Sequence, residues 1–202
     1  MKKLIFEKSF TQQEPIPEDG ISKAVNVLNS GRLHRYNVVK GELSETSLLE
    51  EEYANWQGSR YCIACTSGGF AIQLALRSIG IKSGTKVLAN AFTLAPVPGA
   101  IQNVGAKPVF VETDENYHID LNDLHLKAKN SNAKFLLLSH MRGHIVNMEK
   151  LMKICDQYEI HLIEDCAHTM GAKWDQVRSG NFGKVAAFSS QTYKHINSGE
   201  GG

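Results

Sequence analysis

An α/β fold, with a mostly parallel sheet covered by helices, is the architecture this sequence predicts, and three observations predict it. Short β-rich runs recur from about residue 60 onward, stretches with apolar residues at helical spacing lie between most of them, and glycines close several of those stretches. Strand alternating with helix at this pitch gives βαβ units, whose crossover helices cover both faces of a parallel sheet.

The elements follow in order. Ahead of the sheet, "EDGISKAVNVLNS" and "SETSLLEEEYANWQG" read as two amphipathic helices, the second opened by Ser44 and closed at Gly58. The connection between them, "GRLHRYNVVKGEL", is long and polar, either a functional or interfacial loop or an ordinary surface one. The strand candidates are "YCIAC" (61–65), "KVLAN" (86–90), "PVFVE" (108–112), "KFLLLS" (134–139), "IHLIED" (160–165) and "VAAFSS" (185–190). Helical spacing is seen in "GGFAIQLALRSIG" through Ile72, Leu76 and Ile79, and in "NMEKLMKICDQYE" through Met148, Leu151, Met152 and Cys155. The stretches "TLAPVPGAIQNVG" and "DLNDLHLKAKN" complete the helical set.

Composition narrows the function classes. The 202 residues carry 22 basic and 21 acidic side chains and are 42% hydrophobic, which suits one domain with a sizeable core. Near-neutral charge without a basic stripe leaves no electrostatic footprint for nucleic acid. No apolar run approaches the roughly 20 residues that span a bilayer. The start, "MKKLIFEKSF", has three apolar residues together, short of the about 7–15 of a signal sequence, so the expected location is cytoplasmic. Of the four cysteines, Cys62 and Cys65 form a C-x-x-C within an expected buried strand. Residues three apart on a strand point to opposite faces, so the two cannot share a metal there. Cys155 and Cys166 stand alone among apolar residues, and all four read as small buried hydrophobes with no metal site.

Chemistry in such a sheet sits beyond the carboxyl ends of the strands. The first candidate strand runs into "CTSGGFAI", a Ser-Gly-Gly turn opening a helix, which aims unpaired N–H groups and a positive dipole end into the crevice. Ser67, Gly68 and Gly69 thus read either as an anion site, most simply for phosphate, or as an ordinary strand-to-helix turn. The fifth strand delivers Glu164 and Asp165 to the sheet edge, where the aspartate can be a helix cap, a metal ligand or the partner of a bound cation. The sixth ends in Ser189, with Lys194 just past it in a turn. A lone lysine is usually a solvated charge, and its company at these strand ends argues for more.

Together, "TSGGFAIQLAL", "EDCAHTMGA" and "SSQTYKHINSGEGG", in that order, resemble the DegT/DnrJ/EryC1/StrS family of sugar aminotransferases, a branch of the fold type I pyridoxal phosphate enzymes. The interval from Asp165 to Lys194, the "GEGG" after the lysine, and the segments "SGTKVLANAFTLAPVPGAI" and "LLLSHMRGHIVNMEKL" extend the likeness over nearly the whole chain. The resemblance implies pyridoxal 5'-phosphate held covalently by Lys194, which would also carry the proton at the substrate carbon. It implies Asp165 on the pyridine nitrogen, the phosphate on the backbone of Gly68 and Gly69 with the Ser189 hydroxyl, His168 near the ring hydroxyl, and Ala167 under the ring. The substrates implied are an amino acid donor, glutamate first, and a keto-sugar carried on a nucleotide; the assembly implied is a homodimer.

Two positions depart from the family pattern. Gly69 stands where threonine usually follows the glycine of the turn, so a side-chain contact to phosphate is lost or passes to Ser67. Leu94 stands where an aromatic usually stacks on the pyridine, which keeps an apolar face without the stacking preference; Phe92 replaces it only if the turn is shifted. Length is the larger departure. Family members run to about twice this length, with a further strand between those ending at Ser189 and Cys65 and then a small C-terminal domain. The expectation is therefore a helical segment over 1–58 and the cofactor-binding large domain over 59–202, without the C-terminal domain. Either the chain is a truncated product or a second polypeptide supplies the remainder. The competing readings are another reaction of the same cofactor, such as the family's dehydratases, which carry histidine in place of the lysine, and a non-catalytic fragment that keeps the fold.

Overall fold

A computed structural model describes residues 15–202 together with Ile5, Glu7, Ser9 and Gln13, so most of the N-terminal run considered above lies outside the described residues. Helices α1 (Glu18–Ser30) and α2 (Glu45–Gln57) precede α3 (Gly68–Ser78), β1 (Lys86–Asn90), α4 (Pro96–Asn103), β2 (Lys107–Val111) and α5 (Leu121–Ser131). Then come β3 (Phe135–Ser139), α6 (Met148–Tyr158), β4 (His161–Asp165), the short β5 (Lys173–Trp174) and β6 (Val177–Arg178), and β7 (Val185–Ala187). Five strands form one sheet in the order β2-β1-β3-β4-β7, each adjacent pair parallel, while β5 and β6 make a separate antiparallel ribbon. The α/β expectation holds.

Period-2 alternation along the strands divides the interior into two cores. Leu88, Leu136, Leu138 and Leu162 join Leu124, Met148, Leu151 and Cys155 of α5 and α6. Val87, Ala89, Leu137, Ile163 and Ala187 join Ile72, Leu76, Val97 and Ile101 of α3 and α4. Both faces of the sheet are covered, which is why its central strands read as unbroken apolar runs. Each fully buried leucine contributes about 1.5–3 kcal/mol relative to exposure. Polar caps set the helix starts: Ser44 Oγ accepts from Ser47 N at 3.2 Å, and Asn147 Oδ1 from Lys150 N at 2.9 Å. Gly58 closes α2 with φ 83°, the left-handed turn for which glycine was expected there.

The segment 61–65 departs from expectation. It forms no strand, Tyr61 is 76% exposed and Ile63 59% exposed, and Cys62 and Cys65 are half-buried rather than buried. Its β-rich composition is matched by one reciprocal pair of backbone bonds, Cys65 N to Gly202 O at 2.8 Å and Gly202 N to Cys65 O at 3.0 Å. Without a ladder or a covering face, an apolar alternation has nothing to bury it. Burial still pushes both thiols above their ordinary value. Strand β7 also stops at Ala187, so Ser189 lies just beyond it and not within it.

The loop between α1 and α2 is anchored at its middle. Arg35 grips Glu50 of α2 with both guanidinium nitrogens, and Glu50 Oε1 also accepts from Ala64 N at 2.8 Å. Helix α1 buries none of its residues: Ile21, Val25 and Leu28 are exposed along it. No helix among the described residues is long and apolar enough to cross a membrane.

Candidate active site

The carboxyl ends of β1, β3 and β4 are tied together by side chains that terminate apolar runs. Asn90 closes β1; its Nδ2 donates to Phe92 O at 3.0 Å and Ser139 O at 3.1 Å, and its Oδ1 accepts from Ser139 N at 2.9 Å. Ser139 closes β3, and its Oγ donates to Asp165 Oδ2 at 2.8 Å. Asp165 closes β4, is 7% exposed, and takes a second bond from Ala167 N to Oδ1 at 3.1 Å. Each carboxylate oxygen thus has one protein donor and retains a lone pair, so the group is oriented yet able to take a cationic N–H. Its place at the end of an apolar strand, together with the family resemblance, pointed to Asp165; Asn90 and Ser139 went unmarked, although they end apolar strands in the same way.

Beside Asp165, His168 Nε2 is 2.8 Å from Lys194 Nζ, and Arg142 N donates to His168 Nδ1 at 3.3 Å. Lys194 is held in the turn after β7 through its own N–H to Gln191 O at 2.8 Å. Burial lowers its pKa below the ordinary lysine value; the Arg142 charge acts in the same direction and Asp165 opposes them. Burial likewise lowers His168, with the charge of Lys194 as the next cause. Burial, with the Arg142 charge, leaves Lys194 nearer to a free amine than a surface lysine.

The Ser67–Gly69 turn meets Ser189, just past β7. Ser67 caps α3, its Oγ accepting from Phe70 N at 3.2 Å, while the N–H groups of Gly68 and Gly69 enter the first turn ahead of any helical acceptor. A Cβ on Gly68 would fall 2.8 Å from Ser189 Cβ and 3.1 Å from Ser189 Oγ, so only glycine lets the turn close against that serine. Gly69 is different: a Cβ there would meet Pro96 Cβ at an ordinary 3.6 Å. The buried Ser189 hydroxyl and the helix N-terminus form a cradle with the chemistry of an anion site. Leu94 stands 47% exposed at the entrance to α4, whereas Phe92 packs on Tyr117 with ring centroids 5.3 Å apart.

Glu164 sits behind this surface and is fully buried. Its Oε1 accepts from Phe182 N at 2.9 Å and Gly183 N at 2.8 Å, its Oε2 from Gly180 N at 2.9 Å, and His140 Nε2 is 3.0 Å from Oε2. Burial alone would raise its pKa; the bonds to His140, Gly180 and Gly183 outweigh it and hold the carboxyl below its usual range. Cys166 brings its sulfur near the same pair, with one atom of each residue within 4.8 Å of the others. Glu164's oxygens are engaged by the turn 180–183, so the cluster anchors the approach to β7 and, through it, Ser189 and Lys194.

Comparison with known proteins gives this arrangement a family. The chain is 36% identical over 156 residues to the dTDP-3-amino-3,4,6-trideoxy-alpha-D-glucose transaminase of Micromonospora megalomicea subsp. nigra, covering 76% of this chain and 41% of that protein. It is 32% identical over 155 residues to the GDP-perosamine synthase of Escherichia coli O157:H7, covering 76% of this chain and 42% of that protein. The crystal structure of 3-amino-5-hydroxybenzoic acid synthase superposes with a TM-score of 0.86 at 30% identity, over 96% of this chain and 49% of the other. The chain thus spans less than half the length of each. The sequence model of the DegT/DnrJ/EryC1/StrS aminotransferase family matches residues 16–202, and the chain belongs to that family.

Proposed function

We propose that this chain carries the cofactor-binding half of a pyridoxal phosphate-dependent aminotransferase that moves an amino group from an amino acid, glutamate first, to a nucleotide-linked keto-sugar. The observation that carries the reading is the convergence of a low-pKa lysine, a buried oriented carboxylate and a glycine-lined anion cradle on one sheet edge. The residues fit the cofactor: Gly68, Gly69, Ser67 and Ser189 would hold its phosphate, Asp165 its ring nitrogen, Lys194 its carbonyl carbon, with Ala167, Leu94 and His168 around the ring. When bound, pyridoxal phosphate supplies the electron-withdrawing ring that the chemistry at the donor's α-carbon needs.

The chain's own groups then divide the work. Asp165, oriented by Ser139 and Ala167, would hold the ring nitrogen and the proton on it. Lys194 Nζ, its pKa lowered by burial, would be the covalent anchor for the cofactor and would move the proton at the donor's α-carbon. His168 Nε2 orients that amine. Residues 59–202 form the cofactor-binding domain and 1–58 its helical N-terminal segment, in a cytoplasmic homodimer supported by the uncovered apolar row Ile21, Val25 and Leu28.

Reconstitution with pyridoxal phosphate should give a visible absorbance band that borohydride bleaches and that Lys194→Ala lacks; an unchanged band in that variant removes the assignment. Turnover of a keto-sugar with glutamate then tests the transfer itself. A second reading is favoured by the 41–42% coverage of the relatives: a cofactor binder that needs further chain for turnover. It would show the band without amination until the C-terminal half of a relative is added. For the dimer, light scattering at micromolar concentration should give twice the mass of one chain, and Val25→Glu should shift it toward monomer; a wild-type monomer refutes that proposal.

A further inference from the structure

The carboxyl edge of the sheet carries a second surface, built of rings. Phe92 follows β1, Tyr117 follows β2 and His144 follows β3, three neighbouring strand ends. The Tyr117 ring centroid lies 5.3 Å from that of Phe92 and 5.9 Å from that of His144, each pair tilted by 46°, and His118 stands edge-on to His144 at 5.8 Å. Hydrogen bonds tie this surface to the active site at both ends. Phe92 O accepts from Asn90 Nδ2, which belongs to the chain Asn90–Ser139–Asp165. His144 N donates to Met141 O, in the turn whose Arg142 N–H reaches His168.

Tyr117 stands there against its own backbone preference. In the hairpin between Glu112 and Asp120, Asp114 N donates to His118 O at 2.9 Å, Tyr117 N donates to Asp114 O at 3.1 Å, and Asp114 Oδ1 accepts from Asn116 N and His118 N at 2.9 Å each. Tyr117 closes that turn with φ 65°, the left-handed conformation that glycine or asparagine adopts freely and that is costly for a bulky side chain. Its side chain is nevertheless 58% exposed, and His144 beside it is exposed as well. Burial therefore does not account for a tyrosine at this position. An aromatic ligand stacking on the open ring does.

Position selects the ligand. Asp165, Lys194, Gly68 and Ser189, the residues that would hold the cofactor's ring nitrogen, carbonyl carbon and phosphate, belong to β4, α3 and the segment after β7, whereas the rings follow β1, β2 and β3. From β4 across to β1 and β2 is two to three strand spacings, on the order of 10–14 Å. A single sugar ring held at Lys194 ends short of Tyr117. In a nucleotide-linked sugar, two phosphates and a pentose stand between the sugar and a planar base, and they carry the base across that interval. We propose that Tyr117, flanked by Phe92 and His144, is the stacking platform for the base of the nucleotide-linked acceptor. This inference rests on the aminotransferase reading, and it adds Tyr117 and His144, which the sequence did not mark.

Two measurements test it. In the first, the chain labelled in its tyrosine and histidine rings is titrated with thymidine diphosphate or guanosine diphosphate, and with ribose 5-phosphate as a probe that lacks the base. NMR should show saturable shifts at the Tyr117 and His144 rings with the nucleotides and none there with ribose 5-phosphate. Tyr117→Gly suits the left-handed turn, so it should fold at least as well and bind the nucleotides roughly fivefold to a hundredfold more weakly, as loss of one base–aromatic stack does. Tyr117→Phe keeps the aromatic face and should retain most of the affinity. No saturable shift in wild type, equal affinity in wild type and Tyr117→Gly, or equal shifts with ribose 5-phosphate overturns the proposal. In the second, the cofactor-loaded protein is given glutamate and a nucleoside diphosphate keto-sugar. Tyr117→Gly should raise the KM of the keto-sugar by a similar factor, with Tyr117→Phe near wild type, and an unchanged KM in Tyr117→Gly overturns the assignment. Nucleotide binding that depends on Tyr117, without any amino transfer, would instead retain the base site and remove the aminotransferase reading.

Discussion

Lys194 Nζ and His168 Nε2 lie 2.8 Å apart, and the second nitrogen of the same imidazole accepts the N–H of Arg142 at 3.3 Å. In the neutral tautomer whose Nδ1 accepts from Arg142, the His168 proton is on Nε2 and faces Lys194 Nζ, which takes that bond only as the free amine. That is the protonation state in which an amine attacks a carbonyl. Burial lowers the pKa of both groups below their ordinary values.

The first prediction follows from the two charges around that amine. Arg142 lowers the Lys194 pKa and Asp165 raises it. Arg142→Gln should therefore move the pH profile for covalent attachment of pyridoxal phosphate upward, and Asp165→Asn should move it downward. Stopped-flow absorbance over a pH series reads both directions at once. Shifts of the same sign in the two variants would contradict the electrostatic account.

Asp165 and Ser139 should separate binding from chemistry. Asp165→Asn keeps the shape and leaves the phosphate cradle untouched, so cofactor binding should persist, while the half-reaction with an amino donor should fall by orders of magnitude because charge stabilisation is lost. Ser139→Ala removes one of the two bonds that aim the carboxylate, and about a tenfold loss is expected from a single positioning bond. Rapid-mixing half-reaction rates check both. A near-normal rate for Asp165→Asn would remove the role given to it.

These pairs also mark what the sequence could reveal. Strands β1, β3 and β4 were legible because burial on both faces makes them continuous apolar runs, while strand-end position only marked Asp165 and Lys194 as candidates whose roles the family resemblance implied. Residues 61–65 have the same composition, but a strand also needs a pairing partner, and pairing is non-local. Asn90 and Ser139 are 49 residues apart and Ser139 and Asp165 are 26 apart, so their network is invisible to any local window. The Arg142 turn runs against local propensity altogether: only the surrounding structure imposes a left-handed arginine. The β5–β6 ribbon, two residues per strand, is too short to show a period.

Glu164 should make stability depend on pH with a definite sign. Its folded pKa is below the ordinary value, so its contribution is complete above about pH 4.5 and is lost as pH falls through the folded pKa. Glu164→Gln leaves His140 and three backbone N–H groups facing a neutral amide and should cost about 3–5 kcal/mol. Urea midpoints measured from pH 7 down to pH 3 should fall steeply at the acid end for wild type and less so for the variant. Parallel slopes would show that other carboxylates govern the acid limb.

The two glycines of the turn should respond in opposite ways to an added side chain. At Gly68 a Cβ would lie 2.8 Å from Ser189 Cβ, and both atoms are tied closely to backbone, so Gly68→Ala must push the turn away from the serine. Overpacking of this kind costs about 1–3 kcal/mol and here also opens the anion cradle. At Gly69 the nearest atom is Pro96 Cβ at 3.6 Å, ordinary van der Waals contact, and the position lies in the first turn of α3. Gly69→Thr should therefore fold without strain, and a threonine costs the helix about as little as other ordinary residues do relative to glycine. Its hydroxyl would sit where the family places a phosphate contact, so pyridoxal phosphate should bind several-fold more tightly to this variant. Fluorescence titration of the cofactor, run beside thermal melts, separates the two effects. Tighter binding to Gly68→Ala would show that the cradle is not closed by the Gly68–Ser189 approach, and a destabilised Gly69→Thr that the space beside Pro96 does not take a side chain.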